Sequence, residues 1–413
     1  MDAHNKQNHR QYDVTVWGAS GFTGRLVTEY LLGKYGTGDK LRWAIAGRNQ
    51  QKLEKICAEL GVRSGSLPII IADCYDSKSM QQLAADTRVV LTTVGPYAKY
   101  GSDLVAACVA NGTHYCDLAG EVQWMRAMID RFQPDAEKSG ARMVHSCGFD
   151  SIPSDIGVWF LQREARQGHG KTCVEIKLLV KALKGGASGG TFASMMNAIQ
   201  ESRRDRSIAE ILVDPYALNP VGERSGPGGR DQMGIEFNEQ SGAWTAPFVM
   251  ASVNTRVVRR TNALLNYPYG HDFKYSEATL VGTGPSGWMK SAGISAGLGG
   301  FMLASSFGPS RSFLVKRVLP KPGEGPSKEQ RQAGFFKLLL VGKLADGSIM
   351  RARVTGDRDP GYGSTSKMLS ESAVCLATDD LPSSGGFLTP ASAMGDALLR
   401  RLVDNASLAF ELM

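Results

Sequence analysis

The sequence predicts an α/β protein: an N-terminal Rossmann domain with a doubly wound parallel sheet, a second α+β domain, and a C-terminal helix that returns to the Rossmann half. Three observations carry this. Near its start the chain reads YDVTVWGASGFTG over Tyr12–Gly24, a strand-like apolar run followed at once by glycines at 18, 21 and 24. From there to about residue 150, short apolar runs alternate with helical patterns, as successive βα units require. After about residue 170 the pattern changes to longer alternating runs, and 413 residues exceed one comfortable core.

Val14, Val16 and Trp17 form the first strand, and the helical pattern that follows runs through Leu32. Gly18 permits the tight strand-to-helix turn, Gly21 lets the backbone approach a pyrophosphate, and Gly24 lets the helix pack closely on its strand. With Ala19, Ser20, Phe22 and Thr23 between them, these residues make the expected phosphate cradle. The N–H groups and positive dipole end of the helix face it. Leu41–Ala46 arrives one helix later as the second strand of a βαβ unit. An NAD site places an acid at its end, but here the chain has Gly47-Arg48-Asn49. A guanidinium can grip a 2′-phosphate with two N–H groups and stack on adenine, so Arg48, with Asn49 beside it, predicts NADPH as the cofactor.

A helix is expected from about Gln51 to Leu60, with Leu53, Ile56, Cys57 and Leu60 on one face. The third strand, Leu67–Ile71, ends in Ala72-Asp73. Asp73 is placed beside the adenine, a turn or N-cap role being equally open. A helix over Ser77–Ala85 leads to a fourth strand, Arg88–Thr93, and the loop Val94-Gly95-Pro96-Tyr97-Ala98-Lys99-Tyr100-Gly101. That loop leaves the carboxyl end of a strand next to the glycine turn, where open parallel sheets hold the reactive end of a ligand. Val94, Gly95 and Pro96 are assigned to the cofactor, and Tyr97, Lys99 and Tyr100 are the catalytic candidates. An ordinary Gly/Pro turn is the alternative. The helix Ser102–Ala110 stops at Asn111-Gly112. In His114–Glu121, Asp117 and Glu121 are expected to cap the next helix, reaching the active cleft being the alternative. The strand Ala141–Cys147 is followed by Gly148–Asp155, with Pro153 at a helix start. Cys147 is expected to be a packed thiol, since His145 lies on the same strand face with no visible third group to position it.

Composition excludes several classes. A hydrophobic fraction of 42% and a charged fraction of 21% are those of an ordinary globular protein, with disorder expected in no more than the first ten residues. The formal charge of +7 is spread rather than gathered into a stripe, and no nucleic-acid module is present, so no nucleic-acid partner is expected. Seven cysteines without a C-x-x-C pair, behind a polar N-terminus, read as reduced thiols in a cytoplasmic protein. Six histidines, none paired at metal-ligand spacing, give no metal site.

GASGFTG at 18–24, AGRN at 46–49, TTVGPYAKYG at 92–101, YCDLAGE at 115–121 and CGFDSIPSD at 147–155 together resemble the saccharopine dehydrogenase-like oxidoreductases. The likeness is strongest to the bacterial branch of trans-acting enoyl reductases, and GGASGGTFAS at 185–194 and GGFLTPASAMGDAL at 385–398 extend it over nearly the whole chain. The resemblance implies a Rossmann domain followed by an α+β domain whose sheet covers the cofactor cleft. It implies NADPH-dependent reduction of a carbon–carbon double bond on a lipid or polyketide-type acyl substrate. Saccharopine-type imine reduction or amine oxidation between an amino acid and a carbonyl compound is the alternative chemistry. A non-catalytic nucleotide-binding protein at a membrane or lipid surface is the alternative class.

The expected domains are 1–155, 156–360, and the C-terminal helices of 361–413 packing back on the Rossmann domain. In the second domain Thr172–Leu183 alternates as a sheet strand, the glycines of 185–190 precede a helix over Thr191–Ile199, and 214–242 reads as an irregular excursion of the kind that forms lids. Phe248–Val258 and Lys274–Val281 are read as further strands, and Phe336–Leu344 with Ser348–Thr355 as a hairpin around Asp346-Gly347. Helices are expected over Ser366–Ala377 and Thr389–Leu402. Met289–Phe307 is small, apolar and glycine-rich, and three readings stay open for it: a buried helix or substrate-tunnel wall, a peripheral membrane contact, and a subunit contact of a homodimer.

Overall fold

The computed structural model describes residues 10–38, 40–185, 189–314 and 325–413. They divide into two units. The first holds the described residues up to Phe149, together with Gly325 and Gly361–Ala406; the second holds the rest.

The first unit opens with β1 (Tyr12–Trp17), whose Val14 and Val16 are fully buried, and α1 (Phe22–Tyr35). β2 (Trp43–Gly47) is buried at every position, as a strand covered on both faces must be. α2 (Gln50–Glu59) starts at Asn49, whose side chain accepts from Lys52 N. β3 (Ile69–Ile71), α3 (Ser77–Asp86), β4 (Thr87–Thr92), the single turn α4 (Tyr97–Tyr100) and α5 (Ser102–Asn111) follow. α5 ends on Gly112 in the left-handed conformation, the stop its Asn-Gly pair predicts. β5 (His114–Cys116), α6 (Val122–Ser139) and β6 (Arg142–Val144) complete the contiguous part.

The second unit begins with α7 (Ile152–His169), which carries Pro153 in its first turn. β7 (Cys173–Lys184), α8 (Gly189–Arg204), α9 (Arg206–Val213), β8 (Glu236–Asn238) and β9 (Ala243–Ala246) lead to α10 (Ala251–Leu264). The strand expected over Phe248–Val258 is therefore mostly helix, in which Arg256, Arg259 and Arg260, spaced i, i+3 and i+4, share one buried face. β10 (Lys274–Gly282), α11 (Gly284–Ser306), α12 (Gly308–Phe313), α13 (Lys328–Gln332) and the hairpin of β11 (Phe335–Leu344) and β12 (Ile349–Gly356) follow. The chain then returns to the first unit with α14 (Thr365–Thr378), β13 (Gly386–Leu388) and α15 (Pro390–Asp404), and β14 (Leu408–Leu412) closes the second.

The first sheet has the order β13-β6-β5-β4-β1-β2-β3, and every pairing in it is parallel. β1 lies between β2 and β4, so the order reverses beside it, which is where a doubly wound sheet opens a crevice at its carboxyl edge. α14 is buried along its length and packs on α1, β1, β4 and β5. α15, the terminal helix expected to return, packs on α14 and β6 within the same unit. The second sheet, β14-β12-β11-β7-β10-β9-β8, is mixed, with β7 and β10 parallel and the remaining pairs antiparallel. The excursion after α9 is tied to α10. Arg259 donates to Pro215 O at 2.8 Å and Tyr275 O at 3.0 Å, Arg256 pairs with Asp231, and Arg260 donates to Leu218 O.

Candidate nucleotide and substrate site

The glycine turn at the end of β1 has no room for side chains. Gly18 has φ of +89°, and a Cβ there would lie 2.5 Å from Val94 Cγ2. A Cβ on Gly24 would run into the Gly18 carbonyl oxygen, so the third glycine is what lets α1 sit down on β1. Gly18 N donates to Ala46 O at 3.0 Å and Gly21 N to Gly18 O at 2.9 Å, which locks the loop to β2. Ala19 is buried, Ser20 is exposed, and Phe22 and Thr23 are half-buried, Phe22 standing edge-on to Tyr362 at 4.8 Å. No side chain caps α1 and no acid occupies its first turn. A helix start that neither a side-chain cap nor an acid occupies, on a turn held tight by Gly18 and Gly24, fits a pyrophosphate.

Arg48 follows β2 directly and is exposed, and no hydrogen bond or ion pair engages it among the described residues. Asn49 beside it spends its side-chain oxygen on the α2 cap. Asp73 accepts from Tyr75 N at 3.1 Å, and its own N–H donates to Ser79 Oγ at 3.0 Å, so its visible role is the turn after β3. That turn presents Tyr75, a residue the sequence reading did not single out. It is 72% exposed and stands edge-on to Tyr100, with ring centroids 6.2 Å apart. Burial raises the Cys74 thiol and the Tyr75 phenol, and the nearby Arg48 guanidinium opposes the rise in both. Arg48, Tyr75 and Tyr100 thus share one corner. The signal for it was an aromatic residue two positions past the strand-end acid.

The loop after β4 splits its tyrosines. Tyr97 is buried; its hydroxyl donates to Thr92 O at 3.3 Å and accepts from Leu118 N at 3.1 Å, and its ring stacks on Trp124 at 5.6 Å. Tyr100 points to the β3 side, and Lys99 is exposed between them, its side chain in no hydrogen bond or ion pair among the described residues. Val94 N is held by Thr92 Oγ1 at 3.2 Å, and Val94, Gly95 and Pro96 run from there into α4, Val94 packing toward Gly18.

Glu121 does not cap α6 with its side chain. Its carboxylate accepts from Tyr97 N at 2.7 Å and Ala98 N at 3.0 Å, so it caps α4 instead. Asp117 is likewise a hub rather than a cap of α6. It accepts from Tyr115 OH at 2.9 Å, Ala119 N at 2.9 Å and Ser146 N at 3.0 Å, and lies 2.7 Å from His145 Nδ1. A third group therefore does position His145. Cys147 stays a packed thiol, fully buried, with Sγ turned to Val144 O at 3.6 Å.

The comparisons with known proteins agree with this architecture. Residues 14–144 match the family model for the saccharopine dehydrogenase NADP binding domain. A relative from Mycobacterium tuberculosis, under the provisional name of a trans-acting enoyl reductase, is 41% identical over 409 residues, covering 95% of this chain and 96% of its own. A trans-acting enoyl reductase of Mycobacterium ulcerans is 36% identical over 410 residues, with 95% and 96% covered. Among solved structures, the saccharopine dehydrogenase (L-Glu forming) of Saccharomyces cerevisiae superposes with a TM-score of 0.52 over 97% of this chain and 99% of its own, at 12% identity, a likeness of fold. With a family model matched on the glycine turn and relatives matched end to end, this chain belongs to the saccharopine dehydrogenase-like NADP-dependent oxidoreductases, in the branch of the trans-acting enoyl reductases.

Proposed function

We propose that the protein reduces the carbon–carbon double bond of an enoyl group on a lipid or polyketide-type acyl substrate. The end-to-end similarity to relatives named as enoyl reductases is the observation that carries this reading. NADPH, when bound, supplies the hydride. The chain's own residues do the rest. The Gly18–Gly24 turn and the start of α1 hold the pyrophosphate, and Arg48 holds the 2′-phosphate. Tyr75 and Tyr100, beside Arg48, bound the adenosine, which moves Tyr100 from the substrate end to the cofactor's far end. Tyr97 acts as a positioning residue: its buried ring and hydroxyl, with the Glu121 carboxylate on the α4 N–H groups, fix the loop after β4. Lys99 is left as the group that can steady negative charge on the reduced acyl group and return a proton to the carbon beside the one that took the hydride.

The test is stopped-flow oxidation of NADPH with an enoyl thioester. Lys99→Met is expected to lower kcat by about 10²-fold or more with NADPH affinity retained. Tyr100→Ala is expected to weaken NADPH binding instead. Unchanged turnover in Lys99→Met overturns the assignment of Lys99. Reduction of an amino acid–carbonyl imine in place of any enoyl substrate overturns the substrate class.

A further inference from the structure

The composition of α11 does not suit its surroundings. Its sequence, GPSGWMKSAGISAGLGGFMLASS, is small and apolar on every side and carries a single charge, Lys290. Such a helix is ordinarily enclosed by protein or by lipid. Here its beginning is docked, with Ser291 Oγ donating to Thr245 O at 2.7 Å and Gly287 lying against Trp244 and Gly282. Past that point Gly293, Gly297, Gly299 and Gly300 have nothing within 4 Å of where a Cβ would stand. Trp288, Met302, Leu303, Phe307 and Phe313 are between 44% and 63% exposed. The reading of this segment as a buried helix is therefore corrected for its second half.

Charge decides what covers it. From Ala278 to Gly323 the sequence contains no Asp or Glu, yet it carries Lys290, Arg311, Lys316, Arg317 and Lys321. The Arg203 guanidinium lies 5.9 Å over the Phe307 ring, a further cation at the edge of the apolar face. A second copy of this chain docked on the same face would bring basic residues against basic residues. An anionic lipid surface takes both the apolar side chains and the cations. Among the described residues no helix is long and apolar enough to cross a membrane, so the fitting geometry is a helix lying in the interface.

We infer that α11 and α12 dock this protein on an anionic phospholipid bilayer. Trp288, Met302, Leu303 and Phe307 enter the boundary between head groups and acyl chains, and Lys290 and Arg311 sit among the lipid phosphates. The inference does not depend on which reaction the enzyme performs.

Flotation with phosphatidylcholine vesicles, with and without phosphatidylglycerol, tests it. The wild-type chain is expected to float with the phosphatidylglycerol vesicles and about tenfold less with phosphatidylcholine alone, each basic residue near the surface adding a modest attraction. The double substitution Met302→Asp with Leu303→Asp is expected to abolish flotation without changing the thermal midpoint, because both side chains are already in solvent. Lys290→Glu with Arg311→Glu is expected to remove the preference for the anionic vesicles. The inference is overturned if the wild type stays at the bottom of the gradient or if the aspartate variant floats equally well. It is also overturned if light scattering finds a dimer that the aspartates dissolve while neither protein binds vesicles.

Discussion

Gly24 is the residue with least freedom, because a methyl group there would occupy the place of the Gly18 carbonyl oxygen. Gly24→Ala is expected to cost about 3 kcal/mol or more, read as a fall in the chemical-denaturation midpoint, and to abolish NADPH binding, since α1 must lift off β1. The requirement was legible from the spacing of three glycines. Arg48 was singled out by its distance from that turn, and its part as the phosphate reader is the proposal that the closing titration tests. The direction of each tyrosine was not legible, since Tyr97 and Tyr100 lie three residues apart on one turn and only packing decides which goes inward. Tyr97→Phe leaves Leu118 N without its acceptor, a loss of about 1–3 kcal/mol in stability, with turnover changed far less than by Lys99→Met. At the start of the second unit, Asp150 has its carboxyl pushed up to about 6 by burial. An aspartate that ionises near its ordinary value in the unfolded chain and later in the folded one adds stability below about pH 4, and that contribution disappears as pH rises through about 6. Asp150→Asn is therefore expected to flatten the stability profile between these limits, leaving the variant about 2 kcal/mol better off relative to wild type at pH 7 than at pH 4. Melting curves across this range would contradict the account if the two profiles stayed parallel.

At the scale of the element, the Rossmann strands and helices announced themselves through apolar runs, caps and Asn-Gly or Gly stops. α10 did not. Its Arg256, Arg259 and Arg260 are each at most 5% exposed, and the backbone carbonyls and the carboxylate that satisfy them come from distant segments no periodicity can reveal. The same arginines change the meaning of the excursion that precedes β8. A segment expected to behave as a lid is pinned at Leu212, Pro215, Leu218 and Asp231, with Arg259 over the Tyr216 ring at 5.1 Å. Replacing Arg259 by Leu strands the carbonyls of Pro215, Gly229 and Tyr275 and is expected to cost about 2–4 kcal/mol. Limited proteolysis should then cut within 214–231 at protease levels the wild type survives. Cutting that is unchanged would mean the arginines do not hold the segment. α11 is the opposite failure: its composition pointed inward or to lipid, and the fold leaves it outside.

On the scale of the whole molecule, the described residues build two seven-stranded sheets and neither comes from one continuous piece. The first takes β13 and the cover of α14 from the last fifty or so residues, and the second takes its edge strand β14 from the final turn of chain. A chain ending at Asp155 would expose the face of β1, β4 and β5 that α14 covers, and is expected to collect in the insoluble fraction, whereas restoring 361–406 in trans should recover soluble material. Such threading is invisible to local pattern: the helix over Thr389–Leu402 was expected to return only because terminal helices commonly do, and no sequence signal placed the last residues in the second sheet. The central claim is that the glycine turn and Arg48 make an NADPH site on this frame. Titration of NADPH and NADH by nicotinamide fluorescence, on wild type and Arg48→Ala, tests it most directly. The account predicts that wild type prefers NADPH and that Arg48→Ala loses ten- to hundredfold in NADPH affinity, about 1.5–3 kcal/mol, with NADH affinity nearly unchanged. Equal binding of the two nucleotides by wild type, or an Arg48→Ala variant that keeps the preference, would contradict it.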